Sequence, residues 1–159
     1  MRPSEPIRLC EAGERSDVLA LLAACGLPEA GLADHWSTTW VAVDPVRPGT
    51  VNGSVALEFH ANAALLRSLA TREDRRSQGL GQALFEFAMA RAAERGVEAV
   101  ALLTTTAEAY FARRGFEKVS RDDLPSSLRA SAEFQGACPA SAAAMITRFN
   151  RLQAEARPS

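Results

Sequence analysis

The stretch Arg75-Arg76-Ser77-Gln78-Gly79-Leu80-Gly81 sets two arginines before two glycines at the opening of a helical pattern. Glycines let the backbone turn tightly and bring several N–H groups to one point. The start of a helix adds unpaired amides and a positive dipole end. Arginine contributes charge and fork-shaped donors. The chemistry of such a stretch is anion capture, and a pyrophosphate suits this many donors. A P-loop would need Gly-Lys-Ser/Thr here, but Gln82 follows Gly81. A dinucleotide fingerprint would need a third glycine where Leu84 stands. What remains is Arg-x-x-Gly-x-Gly between a strand candidate, Leu65 to Thr71, and a helix candidate, Gln82 to Arg95.

A second set of reactive side chains lies on strand patterns. Ser54 to His60 alternates, with Val55, Leu57 and Phe59 on one face and Ala56, Glu58 and His60 on the other. A carboxylate flanked by apolar residues, as Glu58 is, would titrate high and suit a general base. The alternative is a solvent-facing Glu58. Arg67 is unusual inside an apolar strand and must find a partner. That partner is either a substrate carboxylate or Glu58. Three unpaired, widely spaced cysteines, Cys10, Cys25 and Cys138, point to reduced thiols and a cytoplasmic setting. With no Cys-x-x-Cys pair, and with His35 and His60 far apart in sequence, no preformed zinc or other metal site is expected.

The elements that must position these residues follow from periodicity. The order reads strand (Ile7 to Cys10), helix (Ser16 to Cys25), short helix (Glu29 to Trp36), strand (Thr39 to Val43), then two strands ending at His60 and Thr71. Asn52-Gly53 and Arg47-Pro48-Gly49 read as turns. Beyond the glycine loop the helix carries Leu80, Ala83, Leu84, Phe87 and Ala88 on one stripe. A nearly apolar, central strand follows, Val97 to Thr104. Then come a short helix (Ala107 to Arg114), a strand (Phe116 to Val119), a helix or turn (Leu124 to about Phe134) and a last strand (Ala142 to Phe149). At 159 residues this is one domain, 1–152, with a frayed tail over 153–159. A net charge of −1 and 6% aromatic residues argue against nucleic acid, and no apolar run is long enough for a membrane span. No signal peptide is visible at the start.

The glycine loop and this element order resemble the Gcn5-related N-acetyltransferase superfamily over nearly the whole chain. The resemblance implies an α/β (α+β) acyl-CoA N-acyltransferase fold, a mixed twisted sheet of six to seven strands flanked by helices. It implies acetyl-CoA as co-substrate, with pyrophosphate on Arg76, Ser77, Gln78, Gly79, Leu80, Gly81 and Gln82. It also implies pantetheine along the backbone of Leu69, Ala70 and Thr71, with Thr106 and Phe111 as further contacts. The preceding strand would splay from Val97 to Thr104 and leave room for the thioester. The superfamily often places a tyrosine four residues before a Gly-Phe pair. Before Gly115-Phe116 that position is Phe111, and Tyr110 is about 100° away around a helix.

Leu102 through Phe116 is also similar to the acetyltransferase domain of glutamate N-acetyltransferases, which implies that Thr104 hydrogen-bonds the leaving sulfur. The strand glutamate of those enzymes is absent, because Leu65 stands there. Glu58 is the substitute base. Leu66-Arg67-Ser68, Leu103 to Glu108 and Leu128 to Ser141 resemble small acetyltransferases associated with arsenic resistance. Both likenesses imply a small amine acceptor, an amino acid or glutamate analogue. Such a substrate needs a cation for its carboxylate, for which Arg67 is the first candidate and Arg129 the second. Ser68 and His60 are further candidates at the substrate, and the likeness to the glutamate enzymes adds Ser141. A homodimer is admitted. The rival readings are a non-catalytic acyl-CoA sensor and, on the loop and cysteines alone, a nucleotide-binding or arsenite-responsive domain.

Overall fold

The strand patterns assemble into one seven-stranded sheet in a computed structural model that describes residues 6–47, 49–76 and 78–149. The strands are β1 (Ile7–Leu9), β2 (Thr39–Val43), β3 (Val51–His60), β4 (Ala63–Thr71), β5 (Ala99–Thr104), β6 (Glu117–Val119) and β7 (Ala143–Arg148). Their spatial order is β1-β2-β3-β4-β5-β7-β6. Only β4 and β5 run parallel, because a helix carries the chain between them; every other pair is antiparallel. The helices are α1 (Arg15–Ala24), α2 (Leu80–Glu94) and α3 (Glu108–Ala112). The expected mixed sheet with flanking helices is therefore found.

Alternation along the strands builds two faces. Val55, Leu57, Ala64 and Leu66 meet Leu80, Leu84, Phe85, Ala88 and Ala92 of α2 in one core. On the other face, Val41, Val43 and Ala56 pack on Val18, Leu21 and Leu22 of α1 and on Leu32. Glu58 lies on that second face, as its place between Leu57 and Phe59 requires. A third cluster joins Leu124 and Leu128 to Leu65, Ala101 and Ile146.

Several local expectations are corrected. Asn52-Gly53 is not a turn but part of β3, paired to both neighbours through Ala42↔Gly53 and Gly53↔Thr71. Pairing on two sides overrides local turn preference. Gly53 is needed for close approach: a Cβ there would lie 2.6 Å from Leu84 Cδ1 and 3.1 Å from the Ala70 carbonyl oxygen. The short helix expected from Glu29 is a 3-10 helix over Leu32–Thr38, delayed by Gly31 at φ 82°. The helix expected after Leu124 is broken into a 3-10 turn, Ser126–Ala130, and a π-type turn, Glu133–Ala137. There the Ser131 hydroxyl takes the Glu133 N–H (3.2 Å), which competes with a helical ladder. Ser77, Pro48 and the tail over 153–159 lie outside the described residues.

One irregularity shapes the sheet. Ser54 pairs with Ala70 but Ala56 pairs with Arg67, so β4 carries one residue more than β3 across this span. The extra residue is absorbed at Ser68, whose φ is 59°. The Ser54 hydroxyl donates to the Ser68 carbonyl at 2.8 Å and fixes the bulge. The β4–β5 ladder stops at Leu65↔Ala101, just before it. Past that point β5 keeps its pairing with β7, up to Thr104↔Ala143, while β4 turns away.

Alanine is normally better than glycine in a strand by about 0.5–1 kcal/mol. At Gly53 the contact with Leu84 and the Ala70 carbonyl should reverse that sign. Gly53→Ala is expected to destabilise the fold by about 1–3 kcal/mol in urea denaturation; a stabilised variant would contradict the packing.

Candidate functional site

Where β4 and β5 separate, a cleft of about 800 Å³ opens between Leu66–Thr71 on one side and Leu102–Ala107 on the other. Cys25 to Pro28, Tyr110, Phe111, Glu133, Cys138, Pro139 and Ala142 close it. Beyond Leu65 one edge of β4 has no strand partner. Backbone groups of Leu69 to Thr71 can then pair with an extended ligand.

One end of the cleft is cationic. Gly79 takes φ 81° as the residue before α2, a left-handed turn that suits glycine. It is followed by the free amides of a 15-residue helix. A Cβ on Gly81 would find only the Thr71 methyl and the Tyr110 hydroxyl, each 3.8 Å away. Arg76 lines this end and sits 3.4 Å from the Cys25 sulfur. Arg75 is committed elsewhere, to Asp44 at 2.6 Å. The Tyr110 hydroxyl is buried and lacks a hydrogen-bond partner. Burial raises its pKa, which keeps it a donor. Arg114 stacks on the Tyr110 ring at 3.4 Å and donates to its carbonyl (2.8 Å).

The other end is a buried ionic cluster. Arg67 donates to Glu58 Oε2 (2.8 Å), the Ala30 carbonyl (2.9 Å), the Pro28 carbonyl (3.1 Å) and the Ser68 hydroxyl (3.3 Å). Its Nε also lies 3.4 Å from Glu133 Oε2. Glu58 itself is fully buried and is not among the residues lining the cleft. The high titration expected for it is corrected. Burial pushes its pKa up, but hydrogen bonds from Arg67, His60 and Ser131 outweigh that and hold it below the usual range. Glu133 is the reverse case. It lines the cleft, is 3% exposed, and burial raises it to about 7 despite Arg67. Burial, Glu133 and their hydrogen bond push the Cys138 thiol up to about 12, so it stays protonated.

The structure brings Arg67, Ser68, Leu69, Ala70, Thr71, Arg76, Gly81, Thr104, Thr106 and Phe111 to the cleft wall. Gln78 and Gly79 are exposed at the loop, Leu80 is buried as the first residue of α2, and Gln82 is held by Arg114. Ser77 lies outside the described residues. His60 bonds Glu58, and Ser141 is exposed beside the lining residue Ala142. Arg129 is exposed too. Thr104 is at the cleft wall. Its oxygen accepts the Ala107 N–H (3.0 Å), and its own hydrogen is left to donate. The sequence reading did not place Glu133 at the cleft, which it lines together with Tyr110. The one usable signal for Glu133 was a carboxylate between two apolar residues, Ala132 and Phe134, in a segment without helical period.

The model of the acetyltransferase (GNAT) domain family matches residues 35–118, more than half of the chain. The chain belongs to this family. An uncharacterized N-acetyltransferase of Chlorobaculum tepidum is 36% identical over 78 residues, which are 48% of this chain and 50% of that protein. The N-acetylglutamate synthase of Neisseria gonorrhoeae, solved with coenzyme A and N-acetyl-glutamate, superposes with a TM-score of 0.78 at 23% identity. That likeness covers 95% of this chain and 36% of the synthase chain. Rv2747 of Mycobacterium tuberculosis, solved with CoA and NLQ, gives a TM-score of 0.75 at 18% identity over 91% of this chain and 99% of its own. The chain thus spans half the length of the curated relative and about a third of the synthase. Among the described residues no helix is long and apolar enough to cross a membrane.

The GNAT fold implies an acyl-CoA ligand, and the residues here fit one. The Gly81 cradle, the orphan Tyr110 hydroxyl and the unpaired edge of β4 each offer what a pyrophosphate with a pantetheine arm needs. Gly81→Glu should therefore place bulk and negative charge at the phosphate end. Calorimetry is expected to show coenzyme A binding abolished with the fold intact by circular dichroism. Unchanged affinity would move the ligand elsewhere.

Proposed function

We propose that the chain is an acetyl-CoA-dependent N-acetyltransferase whose general base is Glu133. The observation that carries this reading is a buried carboxylate on the wall of the cleft, raised to about 7, at the end away from the anion loop. Bound acetyl-CoA supplies the thioester acyl group. The amides opening α2 and Arg76 hold its pyrophosphate, and the free edge of Leu69 to Thr71 aligns the arm. Glu133 removes a proton from the attacking amine, as a base poised near neutral pH should. Thr104 donates its hydroxyl hydrogen toward the sulfur as it gains charge. Glu58 and Arg67 position these groups: Glu58 fixes Arg67, and Arg67 fixes Glu133 and the carbonyls of Pro28 and Ala30.

The acceptor is a small amine of the amino-acid class. Support comes from the sequence likenesses, arsenic-associated ones included, and from a neighbour solved with N-acetyl-glutamate. Ser141 stays on the substrate side through its neighbour Ala142, whereas His60 bonds the buried Glu58, and neither of these two lines the cleft. Thiol release, screened over amino acids and glutamate analogues, tests the class. Tight coenzyme A binding without turnover for any amine would favour the acyl-CoA sensor.

Glu133→Gln should lower kcat by about 10²–10⁴-fold. In the wild type kcat/KM should fall as pH drops through about 7, and the variant should lose that limb. The raised carboxyl also has a stability sign. The folded chain holds this proton more tightly than the unfolded chain, so stability falls as pH rises from about 4.5 toward 7. Glu133→Gln should be the more stable protein at pH 8, and an inactive but destabilised variant would point to a structural role instead. Thr104→Val should lower kcat more than acetyl-CoA affinity, by an amount on the order of 1–3 kcal/mol. Tyr110→Phe should cost less in kcat, and the opposite ranking would give the thiolate to the tyrosine.

A further inference from the structure

On the face of the sheet opposite α2, two histidines that are far apart in sequence meet at one carboxylate oxygen. His60 Nε2 lies 2.9 Å from Glu58 Oε1, and His35 Nε2 lies 3.5 Å from the same atom. The three ligand-type atoms all lie within 4.8 Å of one another. The two rings stand edge to face, with centroids 6.0 Å apart. Three different constraints aim them. Glu58 and His60 are two residues apart on β3 and share a face. His35 sits at a kink in the 3-10 helix Leu32–Thr38, with φ −130° and ψ 21°. The carbonyl of His35 accepts the hydroxyls of Thr38 (3.3 Å) and Thr39 (2.8 Å), and that of His60 accepts the Ser127 hydroxyl (3.0 Å).

We propose that His35, Glu58 and His60 form a binding site for one divalent transition-metal ion, with zinc as the best fit. Two imidazoles and one carboxylate are a known zinc set. Ligands about 2.0–2.2 Å from a tetrahedral ion lie roughly 3.4 Å from each other, close to the two separations to Glu58. Arg67 takes Oε2 of Glu58 and leaves Oε1 for the ion. It is the outer hydrogen bond that orients a metal-bound carboxylate. The charge of Arg67 is shared with Glu133, 3.4 Å from its Nε. An entry path exists on the imidazole side, since the side chains of His35 and His60 are 22% and 15% exposed while that of Glu58 is 1% exposed. The ion would clamp the segment Leu32–Thr38 to β3. Neither histidine lines the cleft, so variants at His35 and His60 test the metal site without touching the cleft wall, although Glu58 joins the two through Arg67.

The test is a Co²⁺ and Zn²⁺ titration of the full chain after stripping with a chelator. One Co²⁺ per chain should bind, with visible bands but no thiolate charge-transfer band in the near ultraviolet. Zn²⁺ should raise the melting midpoint. His35→Ala and His60→Ala, checked for fold by circular dichroism, should each lower affinity roughly 100-fold and remove the thermal shift. If an alanine variant misfolds, asparagine at the same position replaces it. No binding at millimolar metal, binding untouched by both variants, or a thiolate band placing the ion on the cysteines would each overturn the proposal.

Discussion

One extra residue in β4 sets the terms for the rest of the molecule. With Ser68 at φ 59° and its carbonyl held by Ser54, the strand cannot continue alongside β5. A left-handed serine costs of order 1–3 kcal/mol, and the surrounding pairs to β3 must hold it there. The divergence that results frees a strand edge and opens a cleft in the middle of a sheet that would otherwise be solid core. The α2 N-terminus then reaches the open edge because Gly53 lets Leu84 and Leu80 lie close on the sheet.

The ionic cluster at the inner end shows how one environment separates two carboxylates. Glu58 has Arg67, His60 and Ser131 as hydrogen-bond donors, and it is kept charged. Glu133 is as buried by surface but has a longer contact with Arg67 and the negative field of Glu58, and its proton is retained to near neutrality. Splitting two acids in this way is how a site obtains one permanent anion and one base. The ionisation of Glu133 also costs the fold stability, which a purely structural residue has no reason to carry.

The legible part of the sequence was what repeats or punctuates. Strand alternation put Glu58 and His60 on one face, and the glycine pair marked the start of α2 within two residues. The pairing of Arg67 with Glu58 was visible as an alternative, since both are polar exceptions in apolar strands. The bulge was not legible, because serine carries no signature for positive φ. Glu133 was hidden for a related reason: its position depends on a π-type turn and on Arg67, which is 66 positions earlier in the chain. The convergence of His35 with His60 depends on a kink within a 3-10 helix, which no periodicity predicts. Helical geometry alone did not place Tyr110 at the cleft; α3 is only five residues long, and both Tyr110 and Phe111 reach the cleft wall.

The carbonyls that Arg67 grips have a consequence for selectivity. Pro28 and Ala30 belong to a loop with no regular structure, yet both are tied to a buried guanidinium in the sheet. That loop covers the end of the cleft where Arg67 and Glu133 lie, with Pro28 on the cleft surface. Four acceptor groups already claim the guanidinium, so little of it is available to recognise a charged guest. In the proposed enzyme, choice among amines would then fall to the contour of the roof that this loop forms. A contour discriminates by a methylene at a time, at about 10–200-fold each. It tolerates a different heteroatom at the same outline far more readily than a longer chain.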